Sequence, residues 1–387
     1  MKKTMKVTGT VLAAMMAMSM TAAAGDTWKI GEIGPTTGAA ADYGNNVMNG
    51  CQIAVDEINA AGGINGTPIE FMPEDDVHDV EKSSNAYNAL VGEGVQAIIG
   101  CVTSGPCTAV SSLAAEDNMF MLTPSASSTA VLDAGNADGS QNLFQLCFTD
   151  PNQGLASADY IDTTMPEITK VGVIYNNGDV YSTGIFGTFR AQAEQCGFEI
   201  VASPAFDDTT VDYSAAIQEC MDNGAELVFL PIYYTPASGI FKQANEMGYD
   251  PIWFGVDGMD GILTVEGFDT SLAEGVMLLT PFAADAADEK TQNFVKAYAE
   301  NYGGAVPTQF AADGYDCVYA IKAAIEAAGA TPDMDHSAVC DAISVSITEM
   351  EPLEGLTGTM TWSADGTVNK TPTAVIIKDG EYVSYEG

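Results

Sequence analysis

The chain is poor in the groups that make and break bonds. Its 387 residues include two histidines, His78 and His336, and a single arginine, Arg190. Lysine and arginine together number 13 against 53 aspartates and glutamates, a formal charge of −40. Nucleic-acid binding rests on clustered cations that neutralise phosphates, so that class is excluded. Attraction to anionic lipid surfaces is disfavoured on the same ground. The acidity fits a solvated exterior that keeps the chain soluble and monomeric, or adaptation to high salt. Catalytic signatures are missing as well. No G-x-S-x-G elbow, H-E-x-x-H pair or Walker loop occurs. GEIGPTTG (Gly31–Gly38) departs from G-x-G-x-x-G spacing and reads as a loop capping the next helix. NADG (Asn136–Gly139) and DGMDG (Asp257–Gly261) hold fragments of a calcium loop without its closing glutamate. His78 sits in the polar turn DDVHDVEK, and His336 in DMDHSAVC, which looks like a helix start. Surface or capping roles are expected of both, and neither a metal nor a cofactor is expected.

No C-x-x-C spacing occurs among Cys51, Cys101, Cys107, Cys147, Cys196, Cys220, Cys317 and Cys340, so a zinc knuckle or thioredoxin-like site is not indicated. Several of these lie in apolar helical patterns, where a thiol acts as a small buried hydrophobe. Free core thiols are expected ahead of disulfides; Cys101/Cys107 and Cys317/Cys340 are the first pairs to test. No segment reaches the roughly 18 unbroken apolar residues of a membrane span. The short apolar run Val11–Met20 follows Lys2, Lys3 and Lys6 and precedes Ala22-Ala23-Ala24. That pattern predicts a secretory signal over 1–24, with Gly25 or Asp26 next. No cysteine stands at the cleavage point, so a lipid anchor is not indicated. The expected location is periplasmic or otherwise extracytoplasmic.

What the chain does have is regular alternation of apolar strand-like segments and amphipathic helices. Trp28–Gly34, Pro68–Asp76, Val95–Gly100, Met119–Thr123 and Leu143–Phe148 read as strands, as do Lys170–Asn176, Phe198–Phe206, Glu226–Pro231 and Pro251–Gly255. Helical patterns lie between them, and a more helical tract spans Glu289–Val345. Such alternation predicts parallel sheets covered on both faces. The second half echoes the first: GVQAIIG-CVTSG matches GAELVFL-PIYYT, and MFMLTPSASS matches PIWFGVDGMD. Two similar doubly wound lobes facing a common cleft are therefore expected.

Ligands of open α/β sheets bind at the carboxyl ends of the strands. There the stretch Gly100–Ser128 offers Thr103, Ser104, Ser125, Ser127 and Ser128. Ser104-Gly105 opens a predicted helix, whose free N–H groups and dipole attract a carboxylate; Ser104 also reads as a plain helix cap. Asp257, in the matching loop of the second half, can pair with an ammonium or cap a helix. Tyr43, Tyr181, Tyr233 and Tyr234 lie in or after similar loops, as cleft walls or as packing.

The series IGEIGPTTGAAADYG, IAVDEINAAGGING, Asp75-Asp76, GVQAIIG-x3-SG, LTPSAS and FGVDG resembles the periplasmic branched-chain amino-acid-binding proteins of ATP-driven importers, over essentially the whole chain after the signal. The resemblance implies a type I periplasmic binding protein fold, with two lobes joined by three hinge crossings. Lobe 1 would hold 25–147 plus 280–366, and lobe 2 148–279 plus 367–387. It implies that Ser104 and Ser127 hold a ligand carboxylate, while the carbonyl of Ser125, beside Ala126, and the carboxylate of Asp257 take the ammonium. Tyr43, Tyr181 and Tyr233 would bound the cleft, with Val102 and Thr103 near the ligand side chain. It further implies delivery to the permease and ATPase of an ABC importer. Asp257 is one methylene shorter than the family's usual glutamate, Ser125-Ala126-Ser127 replaces Ala-Ala-Thr, and His78 stands where that type has a disulfide cysteine. An amide, urea-like or aromatic carboxylate solute, or a sensory role, is the alternative on the same fold.

Overall fold

The computed structural model describes residues 27–385, so the expected signal segment lies outside the described residues. Two sheets organise the chain. The first is wholly parallel, in the order β2 (Ile69–Asp75), β1 (Trp28–Gly34), β3 (Ala97–Gly100), β4 (Met121–Thr123), β5 (Leu143–Gln145). The second runs β8 (Glu199–Ala202), β6 (Lys170–Val173), β10 (Leu227–Leu230), β11 (Ile252–Gly255), β12 (Met277–Thr280), all parallel. Antiparallel β15 (Thr373–Lys378) and β16 (Glu381–Ser384) extend that edge. Two short pairs, β7 (Tyr175–Asn176) with β9 (Ala205–Phe206) and β13 (Leu353–Glu354) with β14 (Thr359–Met360), complete the strands described.

The first five strands of each sheet follow one order, second-first-third-fourth-fifth. The repeat read from sequence is thus structural: β3 and β4 take the same places as β10 and β11. AIIG of β3 and LVFL of β10 are buried along their whole length, as strands covered on both faces must be. Leu143–Phe148, expected as one strand, stops at Gln145, and Lys170–Asn176 divides into β6 and β7.

Helices fill the connections: α1 (Ala41–Ala60), α2 (Val80–Gly92), α3 (Ser104–Asp117) and α4 (Thr129–Gly135) in the first sheet's half. Next come α5 (Asp150–Thr164), α6 (Val180–Ala193), α7 (Ser214–Asp222) and α8 (Tyr234–Met247). The last three are α9 (Glu289–Asn301), α10 (Gln309–Ala328) and α11 (His336–Glu349). Some of the abundant aspartate starts helices. The side chains of Asp79, Asp179, Asp288 and Asp335 accept first-turn N–H bonds of α2, α6, α9 and α11, where an anion also meets the positive helix end.

The chain crosses between the sheets three times. It leaves after β5, returns after β12, and re-enters the second sheet at β15. The returning segment belongs to the first sheet: Trp362 Nε1 donates to the carbonyl of Gln145 at 2.9 Å, and Cys51 Sγ on α1 donates to Gly314 O on α10 at 3.2 Å. All eight thiols are free and, except for partly buried Cys196, buried. Cys101 lies beside Cys107. Cys317 neighbours Cys51, while Cys340 contacts Asn142 and Ser344 instead.

Helices α1 and α10 touch backbone to backbone. A Cβ on Gly50 would lie 1.9 Å from the carbonyl oxygen of Ala311, and one on Gly314 would lie 2.4 Å from that of Val47. Neither neighbour is a movable side chain. Gly50→Ala is expected to destabilise by about 2–3 kcal/mol, because the helices must part. Gly92→Ala, in the last turn of α2 with open space around it, is expected to be neutral or slightly stabilising. Urea unfolding of both variants checks the contrast.

Candidate functional site

The carboxyl ends of both sheets deliver their loops to one small cavity. Tyr43, Val102, Thr103, Ser125, Tyr181, Tyr233 and Asp257 line it, with Gly258 and Phe310. Its free volume is about 10 Å³, room for a single water, so the two halves are closed on each other.

Asp257 begins a short 3-10 turn after β11 and is 4% exposed. Its Oδ1 accepts the Tyr181 hydroxyl at 2.6 Å, and its Oδ2 accepts the Gln153 amide at 2.7 Å. Burial raises its pKa to about 6, against the opposing hydrogen bonds of Tyr181, Gln153 and the Gly258 N–H. No lysine, arginine or histidine pairs with it among the described residues. The Tyr181 ring is stacked on that of Tyr233, with centroids 4.8 Å apart and planes 8° from parallel. The same Tyr181 hydroxyl accepts the Gly258 N–H at 3.0 Å. A side chain on Gly258 would fall 2.5 Å from that hydroxyl, so the turn requires glycine there.

Tyr43, from the start of α1, ties the halves together. Its hydroxyl donates to Gly258 O at 2.5 Å and accepts the Tyr234 N–H at 3.2 Å. The Tyr234 hydroxyl accepts the Asp42 N–H, and Thr235 Oγ1 donates to Ala39 O at 2.8 Å. Tyr234 therefore packs beneath Tyr43, with centroids 4.6 Å apart, and does not line the cavity.

Opposite Asp257, α3 opens at Ser104, as the helix-start reading predicts. Pro106 has no N–H to leave unpaired, which suits the first turn. Ser104 Oγ accepts the Ser128 N–H at 3.3 Å. Ser125 Oγ donates to Val102 O at 2.6 Å. Ser127 is wholly buried, and its hydroxyl makes no hydrogen bond of ordinary geometry. Ala126 is turned into the first half's core, where its carbonyl accepts the Gln145 amide. Ser104, Ala126 and Ser127 thus stand beside the cavity without lining it.

Four residues escaped the sequence reading. Gln153 holds Asp257 across 104 positions, and Phe310 packs on Tyr43 with centroids 4.6 Å apart. His78, expected at the surface or as a cap, is exposed as expected, but its ring also reaches the edge of the cleft. Its Nδ1 lies 2.8 Å from Thr103 Oγ1, and its ring meets Tyr233 edge-on. Loss of water around the imidazole lowers its pKa, against the pull of Asp208 and Asp79. Asp150, the first residue of α5, is 1% exposed. Burial lifts its carboxyl well above the usual range; the nearby Asp257 and Asp179 add to this, and the Ser127 and Ser128 hydroxyls oppose it. Gly184 leaves the room it occupies. The walls therefore supply the Asp257 carboxylate and a ring floor on one side, and hydroxyls with a helix N-terminus on the other. That set can hold a small molecule carrying both charges.

Two doubly wound sheets closed edge to edge over such a cleft define a two-lobed ligand-binding protein. The chain belongs to the periplasmic binding protein family, whose profile matches residues 27–381. It is 30% identical to the Leu/Ile/Val-binding protein homolog 3 of Brucella melitensis over 92% of this chain and 93% of the relative. Two solved structures superpose with a TM-score of 0.82 each, over 92% of this chain and 97% of theirs. One is the LivJ substrate-binding protein of Streptococcus pneumoniae in complex with isoleucine, 29% identical. The other is the leucine-binding protein LivK of Thermotoga maritima, 26% identical.

The raised carboxyls fix how stability varies with pH. Asp76, Asp179 and Asp257 lie at about 6 and Asp260 at about 7 in the fold, above their ordinary values, chiefly through burial. A folded state that binds protons more tightly than the unfolded chain is most stable below pH 4 on this account, and it loses that contribution as pH rises to about 7. Calorimetric melting of the ligand-free protein is expected to give a higher Tm at pH 5 than at pH 8.

Proposed function

We propose that this protein captures a zwitterionic amino acid with an aliphatic, branched side chain and delivers it to the permease and ATPase of an ABC importer. One observation carries the reading: a wholly buried, hydrogen-bonded Asp257 with no cation beside it faces hydroxyls and the N-terminus of α3 across a closed cleft. A ligand ammonium supplies the missing cation, with the Ser125 carbonyl as its second partner. The ligand carboxylate goes to Ser104 and Ser127 with the first N–H groups of α3. Tyr43, Tyr181 and Tyr233 enclose the ligand, and Val102 and Thr103 shape the side-chain end. The relatives named for leucine, isoleucine and valine, and the isoleucine complex, support the aliphatic class. Hinging occurs at the three crossings, which divides the chain into 25–147 plus 280–366 and 148–279 plus 367–387. An amino acid exceeds the free volume of the closed cleft, so the lobes open to admit it and then close by population shift. The protein acts outside the cytoplasm, as a monomer, without a cofactor and without turnover. Among the described residues no helix is long and apolar enough to cross a membrane, which fits a shuttle.

His78 beside Thr103 favours a second reading, in which the side-chain end takes an amide or urea-like group. A thermal-shift panel separates the two, since only the right class raises Tm. For the leading reading, calorimetry with isoleucine is expected to show about a 100-fold loss in Asp257→Ala, roughly 2.7 kcal/mol. Affinity is also expected to fall below about pH 6, as Asp257 takes up a proton and loses the charge that attracts the ammonium. Binding by Asp257→Ala at the parent's affinity would remove Asp257 from the ammonium site.

A further inference from the structure

A second cavity, of about 490 Å³, lies where the chain crosses between the lobes. That is within the size range of small-molecule sites. Leu263, Phe282, Val295, Val306, Pro307 and Val375 form its walls. The segments around it come from both sides of the hinge: the end of β12, the entry to α10, and the β15–β16 hairpin. Val306 at its rim is 66% exposed, unusual for a large apolar side chain.

Its polar groups are of one sign. Asp260 lies within, 6% exposed, with Asp285 and Glu381 at exposed positions; among the described residues no lysine, arginine or histidine lines the cavity. Asp260 Oδ2 accepts the Gln309 N–H at 3.0 Å, so the N-terminus of the 20-residue α10 steadies its negative charge. Oδ1 accepts no hydrogen bond of ordinary geometry among the described residues. Thr308 Oγ1, also in the lining, is buried and has no partner.

We propose that this hinge cavity is a second ligand site, selective for a primary ammonium compound with an apolar body, its charge seated at Asp260 and its chain against Phe282, Val295 and Val306. Charge complementarity excludes anions, and the apolar walls distinguish such a molecule from a bare cation. The site also touches the cleft. Asp260 N–H donates to Asp257 O at 2.9 Å, and the Gln309 side chain donates to that same carbonyl at 3.3 Å. An occupant at Asp260 therefore leans on the turn that carries Asp257.

The test is calorimetry of n-hexylammonium chloride on the full chain without its signal and with no amino acid present, so its outcome is separate from that of the cleft reading. Hexan-1-ol, hexanoate and ammonium chloride are titrated at matched ionic strength. Hexylammonium is expected to bind with a sub-millimolar Kd and the other three at least tenfold more weakly. Asp260→Asn is expected to weaken hexylammonium at least tenfold. Ala284→Trp and Val295→Trp, which fill the cavity from partly exposed positions, are expected to abolish its binding; either one that melts like the parent suffices. Equal binding of hexanol overturns the role of charge, and equal binding of ammonium overturns the role of the walls. Hexylammonium binding that survives the tryptophan variants places the amine on the acidic exterior and overturns the site, as does no binding at all.

Discussion

A carboxylate buried without a cation is the constraint on which the cleft depends. Removing an ionised group from water is expensive unless hydrogen bonds or an opposite charge replace the solvent. Asp257 has the first and lacks the second. Tyr181 and Gln153 occupy one oxygen each, which fixes the carboxylate plane. Tyr181 also takes the next N–H of the chain, that of Gly258, so the turn and the carboxylate are oriented by one hydroxyl. The carbonyl of that same Gly258 is the acceptor for Tyr43, from the other lobe. The candidate site and the contact between the halves are thus built on one residue.

Acidity elsewhere in the chain is organised in the same manner, by backbone N–H groups more than by cations. Asp75 accepts from the N–H groups of Thr36, Thr37 and Val77 and from the Thr37 hydroxyl, and it stays ionised below the usual range through those bonds. Asp316 braces Leu356 and Thr357. Among the described residues one buried ion pair breaks the pattern: Lys370 Nζ lies 3.7 Å from Asp313 Oδ1, with both side chains almost wholly buried. Lys370 also donates to Thr357 Oγ1. It stands three residues before β15, so the third crossing is pinned where its ammonium can neutralise α10. Apolar replacement of both partners can be neutral, whereas loss of one strands the other; the pair fixes position more than it adds stability.

The fold was legible because its signals are local. Apolar runs such as AIIG and LVFL, helix caps and the repeated strand-loop pattern led directly to two sheets of one strand order. Seven of the ten expected site residues line the cavity because they follow strand ends, and a parallel sheet sends all such loops to one edge. What stayed hidden was long-range or conformational. Nothing around Gln153 marks it as a partner of a residue 104 positions away. His78 read as part of a polar surface turn, and the turn is real, but its backbone is left-handed. Val77 has φ +53° and His78 φ +58°, each held by a preceding aspartate: Asp75 accepts the Val77 N–H, and Asp76 accepts that of His78. This double turn brings the ring against Thr103. Sequence showed the two aspartates without showing that their side chains would steer the histidine.

On the proposed function, the balance of closure follows from two opposed quantities. Tyr43 to Gly258, Tyr234 to Tyr43, Asp42 to Tyr234 and Thr235 to Ala39 are hydrogen bonds that join the halves, each worth about 1 kcal/mol net. Left alone, they would favour a permanently shut cleft. Against them stands the dehydration of Asp257, which closure completes by bringing Tyr43 and Phe310 over it. Its rise from 3.8 to about 6 corresponds to roughly 3 kcal/mol against the ionised form. Closure thus sets these bonds against the loss of water around Asp257. An ammonium ion beside Asp257 removes the opposing one and leaves the lobe-joining bonds in place. A shorter acid, oriented by Tyr181 and Gln153 with acceptor capacity left on each oxygen, makes closure depend on the ligand's charge as well as its shape.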